Sequence, residues 1–395
     1  MQGDWNIDHL RADTAGCEHT TFFNNAGASL QPRPVVARVI EHLQLEEQIG
    51  GYEAADRVAD ELEALYGSVA RLLHCTPEEI ALHENATRAW EMAFYSLRFA
   101  PGDRIVTTVN EYASNYIAFL QVARRTGAEI HVVDRDPSGE IDLHALKNLL
   151  DDRVKLIALT HIPTNGGAVQ PAAEVGALAR QADIPFLLDA CQSTGQMDLD
   201  VNILGCDMLS ATGRKYLRGP RGTGFLYVRR EMLAQMEPPV LDLRAATWVT
   251  QGKFETRRDA KKFESWESSA ATRLGLGVAV EYALGLGLKR IESRVQGLAA
   301  LLREKLSQIH GITVRDQGRV RGAIVTFTYD PHPPGAVMQW LKSQGIAVRT
   351  TDRAATRVDM EQRNLDELVR ASVHYYNTEE ELDRLCAALR AMPAA

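Results

Sequence analysis

Short apolar runs with polar ends, alternating with helical stretches, narrow the folds open to this chain more than any other feature. Arg104-Ile-Val-Thr-Thr, Glu129-Ile-His-Val-Val, Leu156-Ile-Ala-Leu-Thr, Phe186-Leu-Leu and Thr223-Gly-Phe-Leu-Tyr-Val read as buried strands. Between them lie segments such as 172–181 with helical character, and earlier Val58, Leu62, Leu65, Tyr66, Val69 and Leu72 recur on one helical face. Thr76-Pro-Glu-Glu79 is a capping-box start for a following turn. This alternation predicts an α/β fold of the doubly wound kind. After Pro238-Pro239 it loosens: residues 274–309 read as long helices leading into the strand-like Ala323-Ile-Val-Thr-Phe-Thr. At 395 residues the chain exceeds one usual compact unit. The expected division is an N-terminal segment 1–15, a large domain 16–264 that includes a crossing region from 241 near a subunit boundary, and a smaller α+β domain 265–395.

In an open α/β sheet, ligands bind beyond the carboxyl ends of the strands. Asp189 ends the run Phe186-Leu-Leu-Asp, with Gln192 just beyond it. Lys215 follows the strand-like Asp207-Met-Leu-Ser-Ala and precedes a loop with glycines at 219, 222 and 224. Asp189, Gln192 and Lys215 are therefore expected to converge on one crevice. A carboxylate there suits a pyridinium nitrogen, and a lysine suits an aldehyde.

Composition limits the partners. Net charge is −8, with no long basic run, which disfavours a general nucleic-acid or anionic-membrane role. No apolar stretch approaches the ~20 residues that span a bilayer. The polar start from Met1 to Trp5 lacks a secretory pattern, so a cytoplasmic location is expected. The five cysteines, 17, 75, 191, 206 and 386, lack metal-ligand pairing and read as free thiols, with Cys191 a small packing residue. No metal is expected.

These residues lie within motifs that resemble the fold type I pyridoxal 5'-phosphate enzymes, specifically the class V aminotransferase family of cysteine desulfurases, selenocysteine lyases and isopenicillin N epimerases. The resemblance runs from Phe23-Asn-Asn-Ala-Gly27 to Val369-Arg370-Ala-Ser-Val-His-Tyr-Tyr-Asn377-Thr. It implies a large domain with a mostly parallel sheet of the seven-stranded type, a smaller C-terminal domain and a homodimer. It makes Lys215 the amine that holds the cofactor aldehyde and moves protons at the substrate α-carbon, Asp189 the partner of the pyridine nitrogen and Gln192 that of the phenolic oxygen. Tyr112 stands where the desulfurases carry a ring-stacking histidine. Ala86 and Thr87 belong to the phosphate turn, whose local sequence fits a plain helix cap equally well. Thr212 and Arg214 stand in place of a phosphate-binding serine and histidine. The family's inter-subunit threonine loop reads here Phe263-Glu-Ser-Trp-Glu267-Ser268, where Glu267 repels phosphate and Ser265 or Ser268 takes over, or the loop has moved.

An amino-acid substrate follows from Arg370, whose guanidinium suits an α-carboxylate, with Asn165 assisting and Asn25 and Ala26 lining the pocket. Arg353 and Arg357 read either as contacts to a distal substrate group or as solvated loop charges. The desulfurases carry a loop cysteine that residues 348–357 lack, so desulfurisation by that route is not expected. The leading expectation is a carbon-sulfur β-lyase that releases pyruvate and ammonia from a cysteine S-conjugate or its sulfoxide. The alternatives are an epimerase or aminotransferase, and a non-catalytic cofactor-binding protein against which Lys215, Asp189 and Arg370 together argue.

Overall fold

A computed structural model describes residues 6–393. Met1 to Trp5, whose polarity bears on targeting, lie outside the described residues, as do the last two residues of the expected small domain. The centre is a seven-stranded sheet in the order Ile80–His83, Gly224–Val228, Met208–Thr212, Phe186–Asp189, Val154–Thr160, Arg104–Thr108 and Glu129–Val133. Gly224–Val228 is antiparallel to both its neighbours, and the remaining pairs are parallel. This is the mostly parallel α/β sheet expected from the alternation. The central runs are mainly apolar and buried throughout because helices cover both faces: all of Phe186–Asp189 and all of Gly224–Val228 are buried.

The strand Ile80–His83 escapes the sequence reading. Thr76 and Glu79 do form a capping box, with the Thr76 amide donating to Glu79 Oε2 at 3.0 Å. The short 3-10 turn Pro77–Glu79 then runs directly into this fully buried strand rather than into another turn. The helix-start signal directly before the strand points to a turn and so hides it.

A second, antiparallel sheet orders Ile312–Val314, Ile324–Tyr329, Glu367–Ser372 and Arg349–Asp352. The long helical stretch is two helices, Ala270–Leu286 and Leu288–Ser307, broken where Gly287 takes φ +84°. Ala270–Leu286 packs on Arg33–Ile49 and Ala59–Leu73. The N-terminal part crosses to the far side: Thr21–Phe22 pairs in parallel with Ile346–Ala347, and Asn24 bridges to Ser372. Residues 246–256 form a hairpin with exposed side chains, among them Trp248 and Phe254. No helix among the described residues is long and apolar enough to cross a membrane.

The loop 213–223 between adjacent strands is held by close backbone contacts. A Cβ on Gly195, itself at φ +89°, would lie 2.4 Å from Leu217 N, so only glycine lets the two backbones meet. Arg218 in the same loop is a buried residue in the left-handed region, φ +61°. Its Nε donates to Leu30 O at 2.7 Å, and its two terminal nitrogens donate to Tyr375 Oη and Thr14 Oγ1, each at 2.6 Å. Its Cζ stands 4.6 Å from the Tyr376 ring centroid. One guanidinium thus ties the lysine loop to both chain ends, and the contacts outweigh the cost of its backbone conformation. Replacing Arg218 with Met is expected to cost on the order of 3 kcal/mol of stability, since several charge-assisted hydrogen bonds vanish together. A urea titration beside the exposed control Arg153→Met checks this, and coincident midpoints would refute the tether.

Candidate active site

Parallel pairing of Phe186–Asp189 with Met208–Thr212 sets Asp189 opposite Ser210, so the two chain segments leave the sheet side by side. Beyond their ends lies a cavity of about 680 Å³. Asp189, Gln192, Thr212, Arg214 and Lys215 all line it, as do Ala86, Thr87 and Tyr112. Burial is the main force pushing the Lys215 ammonium below the usual lysine range; Arg214 and Arg370 push the same way, while Cys191 and Asp189 oppose. Cys191 shares the cavity, and burial first, then the Asp189 charge, pushes its thiol up. Asp189 Oδ1 accepts from the Cys191 amide at 2.9 Å and Oδ2 from Asn115 Nδ2 at 3.0 Å.

One side of the cavity is built from a helix start. Asn85 caps the helix Ala86–Phe94 by accepting from the Arg88 amide at 2.8 Å, and the first turn opens on the cavity. Gly224 is required there, because a Cβ would come within 2.9 Å of Ala86 N. Across from it, Arg214 donates to Thr212 Oγ1 at 3.0 Å. Arg221, which the sequence reading passed over, lines the same cavity.

Arg370 reaches this end from the second sheet. It is 9 % exposed, one terminal nitrogen donates to Thr164 Oγ1 at 2.6 Å, and its buried Nε has no partner. Thr164, not singled out by the sequence, is therefore the residue that orients the guanidinium. Asn165 lies beside it with its amide engaged elsewhere, donating to Asp352 O at 2.9 Å and accepting from Thr351 Oγ1. Ala26 joins the N-terminal segment to the cavity wall, its carbonyl accepting from Gln192 Nε2 at 3.1 Å and its amide donating to Ser372 Oγ at 2.9 Å. Asn25 donates to Ser372 O at 2.7 Å.

Ser268, Arg353 and Arg357 stand apart. Ser268 lines a small neighbouring pocket with Ser265 and Glu267, which meets the main cavity at Glu84 and Gly222. Arg353 donates to Leu365 O and pairs with Asp366, each at 2.8 Å, and Arg357 pairs with Glu361 one helical turn on. Their guanidinium groups are thus spent on neighbouring loop and helix groups. Residues 353–357 fold down near the cavity rim, where Ala355 O accepts from the Ala113 amide at 3.0 Å.

The profile described as aminotransferase class-V matches residues 21–385. The chain belongs to this family. Pyridoxal 5'-phosphate is the family's cofactor, and the cavity fits it: a carboxylate, a lysine and a helix start face one space, and Gln192 Oε1 is a buried polar atom without a partner there. A probable cysteine desulfurase of Synechocystis sp. is 32% identical, over 94% of this chain and 90% of its own. Another, of Methanothermobacter thermautotrophicus, is 29% identical over 96% of each chain. The solved apo cysteine desulfurase of Thermococcus onnurineus superposes with a TM-score of 0.92 at 26% identity, covering 99% of this chain and 98% of its own. These relatives overturn the leading expectation of an S-conjugate β-lyase: whole-length similarity to proteins named cysteine desulfurases outweighs the one missing loop cysteine.

Because burial favours the neutral amine, Lys215 is expected to capture added pyridoxal 5'-phosphate with a pH midpoint below that of ordinary lysine. Borohydride trapping on cofactor-stripped protein, followed by peptide mapping, checks both the site and the midpoint. A label spread over surface lysines, or a midpoint at the usual lysine value, contradicts it.

Proposed function

We infer that the protein removes the side-chain sulfur of L-cysteine and passes it to a thiol supplied from outside the chain. The observation that carries this reading is that Lys215 and Asp189 line one cavity with Thr164, whose hydroxyl accepts from Arg370, a guanidinium with an open Nε whose charge reaches Lys215. Whole-length relatives named cysteine desulfurases support the substrate. When bound, the cofactor supplies an electron sink for charge left at the substrate α-carbon. Asp189 would hold the ring-nitrogen proton. The first turn of Ala86–Phe94, with Thr212 and Arg214, would take the phosphate. Arg370, aimed by Thr164, would clamp the α-carboxylate, and Lys215 Nζ would take and return the α-proton. Tyr112 would present its ring at the cavity edge, its backbone amide held by Glu111 Oε1 at 2.9 Å.

The acceptor is assigned outside the chain for two reasons. Residues 348–357 contain no cysteine. The thiol nearest the site, Cys191, is held protonated by burial and by Asp189, whereas the attacking species is a thiolate. The balance is L-cysteine plus R–SH giving L-alanine plus R–S–SH: the Cβ–Sγ bond breaks, an S–S bond forms, and carbon gains the thiol proton. A homodimer belongs to the same reading, supported by the exposed Trp248, Phe254 and Trp266 around the region placed at a subunit boundary. The unpaired cysteines support a reducing, cytoplasmic setting.

Incubating holoprotein with L-cysteine should yield alanine at a rate that rises with added dithiothreitol, because a second cysteine is the acceptor when no other thiol is supplied, and Lys215→Ala should yield none. Pyruvate in its place, or loss of chirality without alanine, would sink the desulfurase reading. Arg370→Gln should raise KM for cysteine about tenfold to a hundredfold, the loss of a charge-assisted contact to a carboxylate. An unchanged KM would show that the carboxylate binds elsewhere.

A further inference from the structure

Behind Asp189 lies a second buried carboxylate that motif reading left unassigned. Glu111 is 4 % exposed and sits in the turn between the strand Arg104–Thr108 and the helix Ala113–Thr126. Its Oε1 accepts from the Tyr112 amide at 2.9 Å, Asn115 Nδ2 at 2.8 Å and Thr160 Oγ1 at 2.5 Å. Its Oε2 accepts from Thr107 Oγ1 at 2.9 Å. Asn115, itself buried, donates the same amide group onward to Asp189 Oδ2 at 3.0 Å. Every donor to Glu111 is neutral, so the carboxylates are joined by one amide with no cation between them.

This arrangement has an electrostatic and a geometric consequence. When both carboxylates are ionised, two buried negative charges linked at short range favour a proton on whatever base Asp189 contacts, because in a poorly screened interior each charge acts on the next. Asn115, with both amide hydrogens committed, also fixes the rotation of Asp189. Burial above all, with the Asp189 charge, leaves the Glu111 carboxyl above the usual carboxylate range despite opposing hydrogen bonds from Thr160, Asn115 and the Tyr112 amide, so its charge acts on Asp189 only at pH values above that raised midpoint. The titratable and charged groups around the pair are Tyr112 beside Glu111, and Cys191, Lys215 and Arg214 on the cavity side.

We propose that Glu111 is a positioning residue: acting through Asn115, it orients Asp189 and adds the negative charge that keeps the cofactor's ring nitrogen protonated, while holding the backbone of Tyr112. The proposal rests on Asp189 being the ring-nitrogen partner. It goes beyond the desulfurase reading, since the relay would act in any reaction run in this cavity.

The test is the 15N chemical shift of ring-labelled pyridoxal 5'-phosphate in the holoprotein, followed against pH. Glu111→Gln preserves volume and removes the charge; the midpoint for ring-nitrogen deprotonation is expected to fall by about one pH unit. Asn115→Leu cuts the link while leaving Glu111 in place, and should move the midpoint the same way. It decides the matter if the glutamine variant does not fold, and urea midpoints of both variants separate a lost relay from lost stability. Asp189→Asn is the reference. Should it shift the midpoint while the Glu111 and Asn115 variants overlay the wild type, the relay is refuted. Should Asp189→Asn also leave the midpoint unmoved, the assignment of Asp189 fails and takes the proposal with it.

Discussion

Two parallel strands, Phe186–Asp189 and Met208–Thr212, lie side by side with Asp189 opposite Ser210, and most of the site descends from that pairing. A carboxylate that ends one buried strand and a lysine that follows its neighbour must emerge on the same edge of the sheet, a few ångströms of backbone spacing apart. The return strand Gly224–Val228 runs the other way, so the loop bearing Lys215 has to turn back within the same crevice. It presses against Gly195 and leaves room for the helix start at Ala86 only because residue 224 has no side chain.

Burial then gives these groups their chemistry. The desolvation that makes Lys215 easier to neutralise also holds the Cys191 thiol protonated, so one environment readies the amine and quiets the sulfur. Unpaired charges in such a place are costly, and the structure meets that cost differently on each side. Asp189 and Glu111 share neutral donors, Arg370 has Thr164 and an open nitrogen, and Arg218 has carbonyl, hydroxyl and ring partners. The Nε of Arg370 is a buried donor left without a partner, which is why the proposed carboxylate contact is placed there.

Departures from the desulfurase pattern lie mainly around this core. By the resemblance, Tyr112 stands where a titratable ring is expected and Arg214 where a histidine is, and residues 353–357 carry no thiol and are folded against Ala113. In the reaction proposed for this chain, a thiol on a loop would deliver the acceptor at high effective concentration; without one, the acceptor would diffuse in and turnover would depend on its concentration.

The strand Arg104–Thr108, the helix Ala172–Gln181 and the polar-ended strand Phe186–Asp189 could be read from the chain alone, since burial on both faces or one writes itself into consecutive residues. So could the family, whose motifs are local runs spread along almost the whole length. Ile80–His83 could not, because the helix-start signal Thr76–Glu79 directly before it points to a turn, nor could the roles of Glu111, Asn115, Thr164 and Arg218. A glutamate beside Tyr112 looks like a solvated turn charge until Thr107, Thr160 and Asn115 close over it, and Arg218 looks like a surface cation until both chain ends wrap its guanidinium. Periodicity reports which face of an element is buried; the partner that satisfies a buried charge comes from another part of the chain, and only the tertiary fold brings it within hydrogen-bond reach.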